Sequence, residues 1–279
     1  MASDPDADRV GAAVKNNEGE WVLLNGNQTA LMFVYYLITR WKELGKIQGK
    51  EYIVKTIVTT ETIKTIADRN GVGFYDVYTG FKWIANVMKQ NEGKLNYIGG
   101  GEESYGFLCE DFVRDKDAVS ACAVLAEIAA WAKDQGMSMY QLLQKIYVEY
   151  GFSKEKGISV VKKGKSGAEE IEAMMKHFRE NPLKEIAGSK VTYFYDYSTL
   201  KGIDYLENET LTLDMPVTSN VLQFFTEDGT KVSIRPSGTE PKIKFYCEVH
   251  SKVNSVEELD AADKAATEKI EAIKASLGI

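Results

Sequence analysis

The chain has 279 residues, 44% hydrophobic and 27% charged, enough for one large domain or two to three smaller ones with a true core. Its formal net charge of −7 puts a general nucleic-acid role at a disadvantage, because that role needs a basic face. An anionic ligand would have to be held by a local cluster of Arg and Lys against the overall field.

In chain order, "RVGAAV" and "WVLL", joined by the polar "NNEGE", predict a hairpin of short strands. A helix from about Gln28 to Leu44 stops at Gly45. A strand "YIVKTIV" at 52–58, a helix from "TTETIK" to "RNG", a strand around "FYDVY", a helix opening at "TGFKWIANVMK" and a strand "NYIGG" follow. This alternation argues for an α/β layered domain. Two helices come next, one from an Asp cap in "DKDAV" to Gly136, the other from Ser138 to Gly151.

The stretch 152–167, "FSKEKGISVVKKGKSG", is rich in Lys, Ser and Gly and reads as a linker. Ser166 with Glu169 reads as a capping box for a helix ending before Pro182. From roughly 188 onward the pattern fits a small α+β domain. It has two strands across an Asp-Gly turn, a loop, a third strand, and an amphipathic helix from about Val256 to Leu277 capped by Ser255 with Glu258. The expected divisions are 1–25, 26–151, 152–187 and 188–279.

Cys109, Cys122 and Cys247 are widely spaced, and His177 and His250 lie far apart in sequence. That argues against a zinc site or a disulfide framework and suits a reducing cytoplasm. The longest apolar run, "LMFVYYLI" at 31–38, is far shorter than the roughly 20 residues that span a bilayer. "MASDPDADR" has neither the basic n-region nor the apolar h-region of a signal peptide.

Four short motifs could carry chemistry. "SDPDADRVG" at 3–11 places Asp4, Asp6 and Asp8 on alternate positions, hard oxygen ligands suited to Mg²⁺ or Ca²⁺. It is no EF-hand, since the required Gly falls on Arg9 and the terminal Glu on Lys15; an acidic surface turn is the plain alternative. "GGGEESYGF" at 99–107 presents Glu102, Glu103 and Ser104 after three glycines, groups that could accept and donate to sugar hydroxyls, or merely form a solvated turn. "RPSGTEPKIK" at 235–244 combines the planar donor fork of Arg235 with Ser237, Gly238 and Thr239 in a nest suited to phosphate, with Lys244 on the next strand. "TGFKW" at 79–83 and "RDKDAV" at 114–119 open helices, where Lys82 and Lys116 could reinforce an anion site or simply be solvated.

A metal loop, a hydroxyl-reading loop and a phosphate nest on separate segments suit one ligand class, the phosphosugars. In this combination the sequence resembles the α-D-phosphohexomutase family (phosphoglucomutase and phosphomannomutase). "DPDADR" resembles its metal loop, "GEESYGF" its sugar-specificity loop and "RPSGTEPKIKFY" its phosphate-binding loop, in the family's order. "GEESYG", with "TGFK" and "RDKD", is closer to the phosphoglucomutase branch. In the phosphomannomutase branch a histidine usually follows a Ser-Gly, whereas Ser104 here precedes Tyr105 and Gly106.

The resemblance implies part of a four-domain α/β enzyme. The parts are the end of domain two, a complete α/β/α domain three, and a smaller α+β domain four of TATA-binding-protein-like form. It also implies an isomerase of carbohydrate metabolism. A phosphoserine would exchange its phosphoryl group with glucose 1-phosphate through a bisphosphate, with Mg²⁺ as cofactor and glucose 1,6-bisphosphate as activator. Asp4, Asp6 and Asp8 would then hold Mg²⁺, Arg9 would contact the phosphosugar, and Glu102 and Ser104 would bind its hydroxyls. Arg235, Ser237, Gly238 and Thr239 would hold the non-reacting phosphate with Lys244 nearby, Lys116 would assist proton transfer, and Thr79 and Gly80 would touch ligand through their backbone.

The family's serine loop, approximately T-A-S-H-N-P, has no counterpart here. The chain is therefore expected to be a C-terminal fragment, inactive alone, whose partners are a phosphosugar and the missing N-terminal half, with no nucleic acid and no membrane. Phosphomannomutase or phosphopentomutase specificity, a non-catalytic phosphosugar-binding module, and a cation sensor are the competing readings.

Overall fold

A computed structural model of the chain describes residues 1–162, 164–238 and 240–279. They fall into two compact units, 1–151 with 253–256, and 152–252 with 257–279. Among the described residues no helix is long and apolar enough to cross a membrane.

The first unit opens with an antiparallel sheet of β1 (Ala2–Ser3), β2 (Val10–Lys15) and β3 (Trp21–Leu24). Then come α1 (Gly26–Glu43), β4 (Glu51–Thr56), α2 (Thr62–Arg69), β5 (Gly73–Val77), α3 (Phe81–Asn91) and β6 (Asn96–Gly101). β7 (Phe107–Cys109), α4 (Ala118–Asp134) and α5 (Met139–Tyr150) complete it. The second sheet runs β5-β4-β6-β7, with β4 parallel to both neighbours and β7 antiparallel to β6.

All six residues of β4 are buried, as a parallel strand covered on both faces requires. Tyr52 and Val54 face Phe81, Ile84 and Met88 of α3. Ile53, in register with Gly99, faces the other way, where α1 lies so close that a Cβ on Gly99 would meet Leu37 Cδ1 at 2.7 Å. α1 starts two residues earlier than expected because Asn25 caps it. The Asn25 side chain accepts from the Gln28 amide at 2.8 Å, and the Gln28 side chain accepts from the Asn25 amide at 3.0 Å. The loops 57–61, 78–80 and 102–106 all leave the carboxyl ends of parallel strands, the edge where α/β sheets open a ligand crevice.

The second unit contains β8 (Phe152–Val161), α6 (Gly164–Glu180), β9 (Glu185–Ile186), β10 (Ser189–Asp196), β11 (Lys201–Asp204) and β12 (Glu209–Thr212). It continues with β13 (Leu222–Thr226), β14 (Lys231–Pro236), β15 (Lys242–Ser251), a 3₁₀ turn at Val256–Glu258, and α7 (Leu259–Leu277). The antiparallel sheet runs β12-β11-β10-β13-β14-β15-β8, with β9 beside β10. Phe224, Val232, Ile234, Ile243 and Phe245 form its buried apolar face, and Phe178 of α6 meets Phe245 edge-on at 6.4 Å.

Three sequence expectations need correction here. Residues 152–161 are not linker but a ten-residue strand, paired along its whole length with β15 from Phe152↔Ser251 to Val161↔Lys242. Lys and Ser suited a loop reading, yet they equally suit a strand at a sheet edge, where charge discourages further pairing. α6 already includes Gly164, so Ser166 lies inside the helix rather than at its cap. α7 begins at Leu259, after the 3₁₀ turn that occupies the expected first residues.

Candidate active site

The first unit gathers the aspartate loop, the "EES" loop and Lys116. The aspartate loop is closed by its own hydrogen bonds. Asp4 Oδ1 accepts from the amides of Asp8 and Arg9 at 3.1 and 3.0 Å, the Ala7 amide donates to the Asp4 carbonyl, and Ala7 takes φ 56°. The Arg9 amide, more than the Asp8 amide, holds the Asp4 carboxyl below its ordinary range. One carboxylate oxygen from each of Asp4, Asp6 and Asp8 lies within 4.8 Å of the others, a spacing compatible with a shared hard cation.

Asp8 supplies the test of that fit. Its Oδ2 pairs with Lys116 Nζ at 2.8 Å, while Oδ1 is buried without a hydrogen-bond partner among the described residues. A buried carboxylate oxygen left unpaired costs free energy, and a cation on this oxygen relieves that cost. The residues present therefore fit a Mg²⁺-type ion. Arg9 Nε stands 3.9 Å from this same Oδ1, at the outer limit of an ion pair and beyond hydrogen-bond distance, and its side chain is half exposed.

Lys116 joins the aspartate loop to the sugar loop. Its stem lies against Gly106, where a Cβ would meet Lys116 Cδ at 2.5 Å, and its ammonium reaches Asp8. Burial alone would lower its pKa, but Asp8 and Asp115 push it above the ordinary lysine value. Asp117 caps α4 as expected, accepting from the amides of Val119 and Ser120, and the Ala118 amide donates to the Ala7 carbonyl. The Val10 amide donates to the Tyr105 carbonyl at 3.0 Å, a second tie between the loops.

Within the sugar loop, the Glu102 amide bonds the Gly106 carbonyl at 2.8 Å and the Tyr105 amide bonds the Glu102 carbonyl at 3.2 Å. Tyr105 has φ 73° at this tight turn. Glu102 is 5% exposed, and its Oε1 accepts from the Gly80 amide at 2.6 Å. Burial raises the Glu102 pKa, with Gly80 working against it. Ser104 is half-buried at the turn. Thr79 is half-buried beside Gly80, whose amide is donated to Glu102. Lys82 is exposed and lies over the Trp83 ring at 5.1 Å.

The family resemblance assigned Glu102 to the sugar and gave Glu103 no role; the structure gives Glu103 partners of its own. Glu103 Oε2 accepts from the hydroxyls of Thr56 and Thr59, at 3.1 and 3.3 Å. The available signal was the threonines of "TIVTT", Thr56 closing β4 and Thr59 in the loop after it. Next to the aspartate loop is a groove of about 580 Å³ walled by Val10, Ala12, Leu23, Leu24 and Tyr105 among others. Ser3, Asp4 and Arg9 line it on the side of the aspartate loop.

The second unit holds the "RPSG" loop. Arg235 on β14 is directly opposite Lys244 on β15. Among the described residues no carboxylate pairs with either at ion-pair distance. Like charges opposite one another across a sheet repel, so the pair favours an anion. The Ser237 amide bonds the Lys242 carbonyl at 2.8 Å, and Ser237 Oγ accepts from the Glu240 amide at 3.3 Å. Gly238 is exposed, and a Cβ there would meet nothing within 4 Å. Packing therefore does not demand glycine, whereas close backbone approach to a ligand would. Thr239, expected in this site, lies outside the described residues.

Two family profiles match the chain, the phosphoglucomutase/phosphomannomutase alpha/beta/alpha domain III over residues 25–150 and the C-terminal domain of the same family over 160–266. Phosphoglucomutase of Staphylococcus aureus strain MRSA252 is 38% identical over 246 residues, which is 88% of this chain and 44% of that relative. The chain thus spans a little under half the length of the curated relatives it matches. Among solved structures, the pp63/parafusin phosphoglucomutase of Paramecium, in its open form, superposes with a TM-score of 0.58 at 18% identity, over 97% of this chain and 44% of that one. A phosphoglucomutase/phosphomannomutase family protein from Burkholderia thailandensis gives a TM-score of 0.57 at 17% identity, over 98% and 46%. At those identities the likeness concerns the fold. Domain profiles and sequence relatives together establish that the chain belongs to the phosphoglucomutase/phosphomannomutase family, of which it carries domain III and the C-terminal domain.

Proposed function

We propose that this chain supplies the sugar-reading and phosphate-holding parts of a phosphoglucomutase, which interconverts glucose 1-phosphate and glucose 6-phosphate through a phosphoserine and a bisphosphorylated intermediate. The observation that carries this reading is Lys116, whose stem packs on the sugar loop while its ammonium pairs with Asp8 of the aspartate loop. Two loops distant in sequence thereby share one cationic side chain, as a site that moves a phosphoryl group to a sugar hydroxyl requires.

Asp4, Asp6 and Asp8 would hold Mg²⁺, which when bound neutralises charge on the transferring phosphoryl group. Glu102 stays in place through the Gly80 amide and offers its other oxygen to a sugar hydroxyl, with Ser104 beside it. Arg9, half exposed, reaches toward the phosphosugar. Lys116, whose pKa its carboxylate neighbours raise, stands as a positive charge beside the reacting oxygens, where it would assist proton transfer. Arg235 and Lys244, with Ser237 and the backbone at Gly238, hold the non-reacting phosphate. Glucose 1,6-bisphosphate would serve as activator.

The 279 residues contain no counterpart of the phosphoserine loop, so this chain alone is expected not to turn over. Calorimetry with glucose 6-phosphate and inorganic phosphate, beside a coupled assay with glucose 1-phosphate and glucose 1,6-bisphosphate, tests the proposal. Preference for the phosphosugar without turnover supports it. Turnover at an ordinary enzyme rate, or equal affinity for phosphosugar and bare phosphate, overturns it.

A further inference from the structure

The adjacent glutamates of the "EES" loop are held by different parts of the first unit. Glu102 accepts from the Gly80 amide, at the loop between β5 and α3. Glu103 is tied to the loop after β4, its Oε2 accepting from Thr56 and Thr59 hydroxyls and its amide donating to Thr59 Oγ1 at 3.2 Å. The two hydroxyls are themselves 2.8 Å apart, and both threonines are fully buried. From below, the Glu103 carbonyl rests on the start of α1, where a Cβ on Gly26 would come within 1.9 Å of it. The Thr60 amide donates to Asn27 Oδ1 at 3.0 Å and so fixes the threonine loop to the same helix end.

This is more restraint than a surface turn needs. Ser104 and Glu102 flank Glu103 directly, so where Glu103 is pinned decides where both can point. We propose that Glu103 is the positioning residue of the sugar loop. Anchored on the Thr56–Thr59 hydroxyl pair, it sets the aim of Glu102 and Ser104 and does not itself touch the sugar. Its negative charge is spent on two buried hydroxyl donors, which leaves Glu102 as the carboxylate available for ligand. The effect on sugar binding rests on the function proposed above; the anchoring of the loop does not.

Glu103→Met removes the acceptor, and Glu103→Gln keeps one for the threonine hydroxyls. Amide hydrogen exchange on the full chain reads the anchoring without ligand. In Glu103→Met the amides of Gly80, Tyr105 and Val10 are expected to exchange about tenfold faster, as loss of roughly one hydrogen bond's free energy implies, while Val54 in β4 is unchanged. Glu103→Gln should restore most of the protection. If the Met variant does not fold, Thr59→Val removes the same anchor from the other side and carries the same expectation. Glucose 6-phosphate affinity should fall about five- to tenfold in Glu103→Met, with inorganic phosphate binding unaltered.

Unchanged exchange at Gly80, or acceleration spread evenly through the first unit, overturns the assignment. So does a loss of phosphate binding that matches the loss of sugar-phosphate binding. If the wild-type chain fails to prefer glucose 6-phosphate over phosphate, the function proposed above is wrong, and the exchange pattern still decides whether Glu103 anchors the loop.

Discussion

Replacing Gly26 by Ala sets two effects against each other, and the structure fixes which one wins. Gly26 is the first residue of α1, and helix propensity alone predicts a gain of up to about 1 kcal/mol from Ala. The new Cβ, however, would sit 1.9 Å from the Glu103 carbonyl oxygen and 2.6 Å from its carbon. Ordinary contact begins near 3.4 Å, so the backbone at Glu103 must retreat by about 1.5 Å. Overpacking of that kind costs about 1–3 kcal/mol. The retreat also weakens the bonds that Glu103 accepts from Thr56 and Thr59, at a cost of about 2 kcal/mol, the size of one charge-assisted bond. After the helix gain is subtracted, the expected outcome is a loss of about 2–4 kcal/mol. Urea unfolding of the Gly26→Ala chain, followed by circular dichroism, measures it. A midpoint equal to or above wild type at unchanged slope would show that α1 propensity governs the position and would refute the reasoning.

Lys55 is fully buried, its ammonium 2.7 Å from Asp76 and 2.9 Å from Glu61. Lys55→Met takes a buried ammonium from two carboxylates that are about one-third exposed, so the expected cost of about 2–4 kcal/mol falls below that of a fully enclosed pair; a loss under about 1 kcal/mol in urea would contradict it. In the second unit, burial would lower the His250 pKa, but Glu248, 2.8 Å away, raises it above 6.5. Stability from this pair is complete below pH 6.5 and is lost as pH rises through the raised value, so His250→Gln should flatten the alkaline limb of a melting-temperature profile. Burial works against ionised Glu248 too, yet Lys231 and His250 keep its pKa below 4.5, so its contribution is complete above that pH and declines in acid. Lys244→Ser should relieve repulsion with Arg235 and stabilise the chain slightly in phosphate-free, low-salt buffer. Added phosphate should raise the melting temperature of wild type and not that of Lys244→Ser, and an equal rise in both would remove the pair from the phosphate site.

Period and caps made much of the fold legible. The alternation from "YIVKTIV" to "NYIGG" carries strands and helices at nearly the expected places, because buried parallel strands are continuous apolar runs and their helices have one apolar face. β8 escaped notice because an edge strand and a linker share a vocabulary of Lys, Ser and Gly; only the partner β15 tells them apart. β10 carries a strand signal in "VTYFY" that the expectations above did not use, whereas pairing rather than composition defines the four-residue strands β11 and β12.

The residue types at the candidate site were fixed by the sequence, since three aspartates, a Glu-Glu-Ser turn and an Arg-Pro-Ser-Gly loop are local patterns whose chemistry depends on which atoms are present. Tertiary structure decided what each atom is free to do. It left one oxygen of Asp8 on Lys116 and the other without a hydrogen-bond partner among the described residues, spent Glu103 on Thr56 and Thr59, and tied the Gly80 amide to Glu102. Those partners lie between 20 and more than 100 residues away in sequence. No local pattern specifies them: the Glu102 and Glu103 contacts come from the parallel strand order that brings the loops after β4, β5 and β6 to one edge of the sheet, and the Asp8–Lys116 pair from the docking of the aspartate loop on the start of α4.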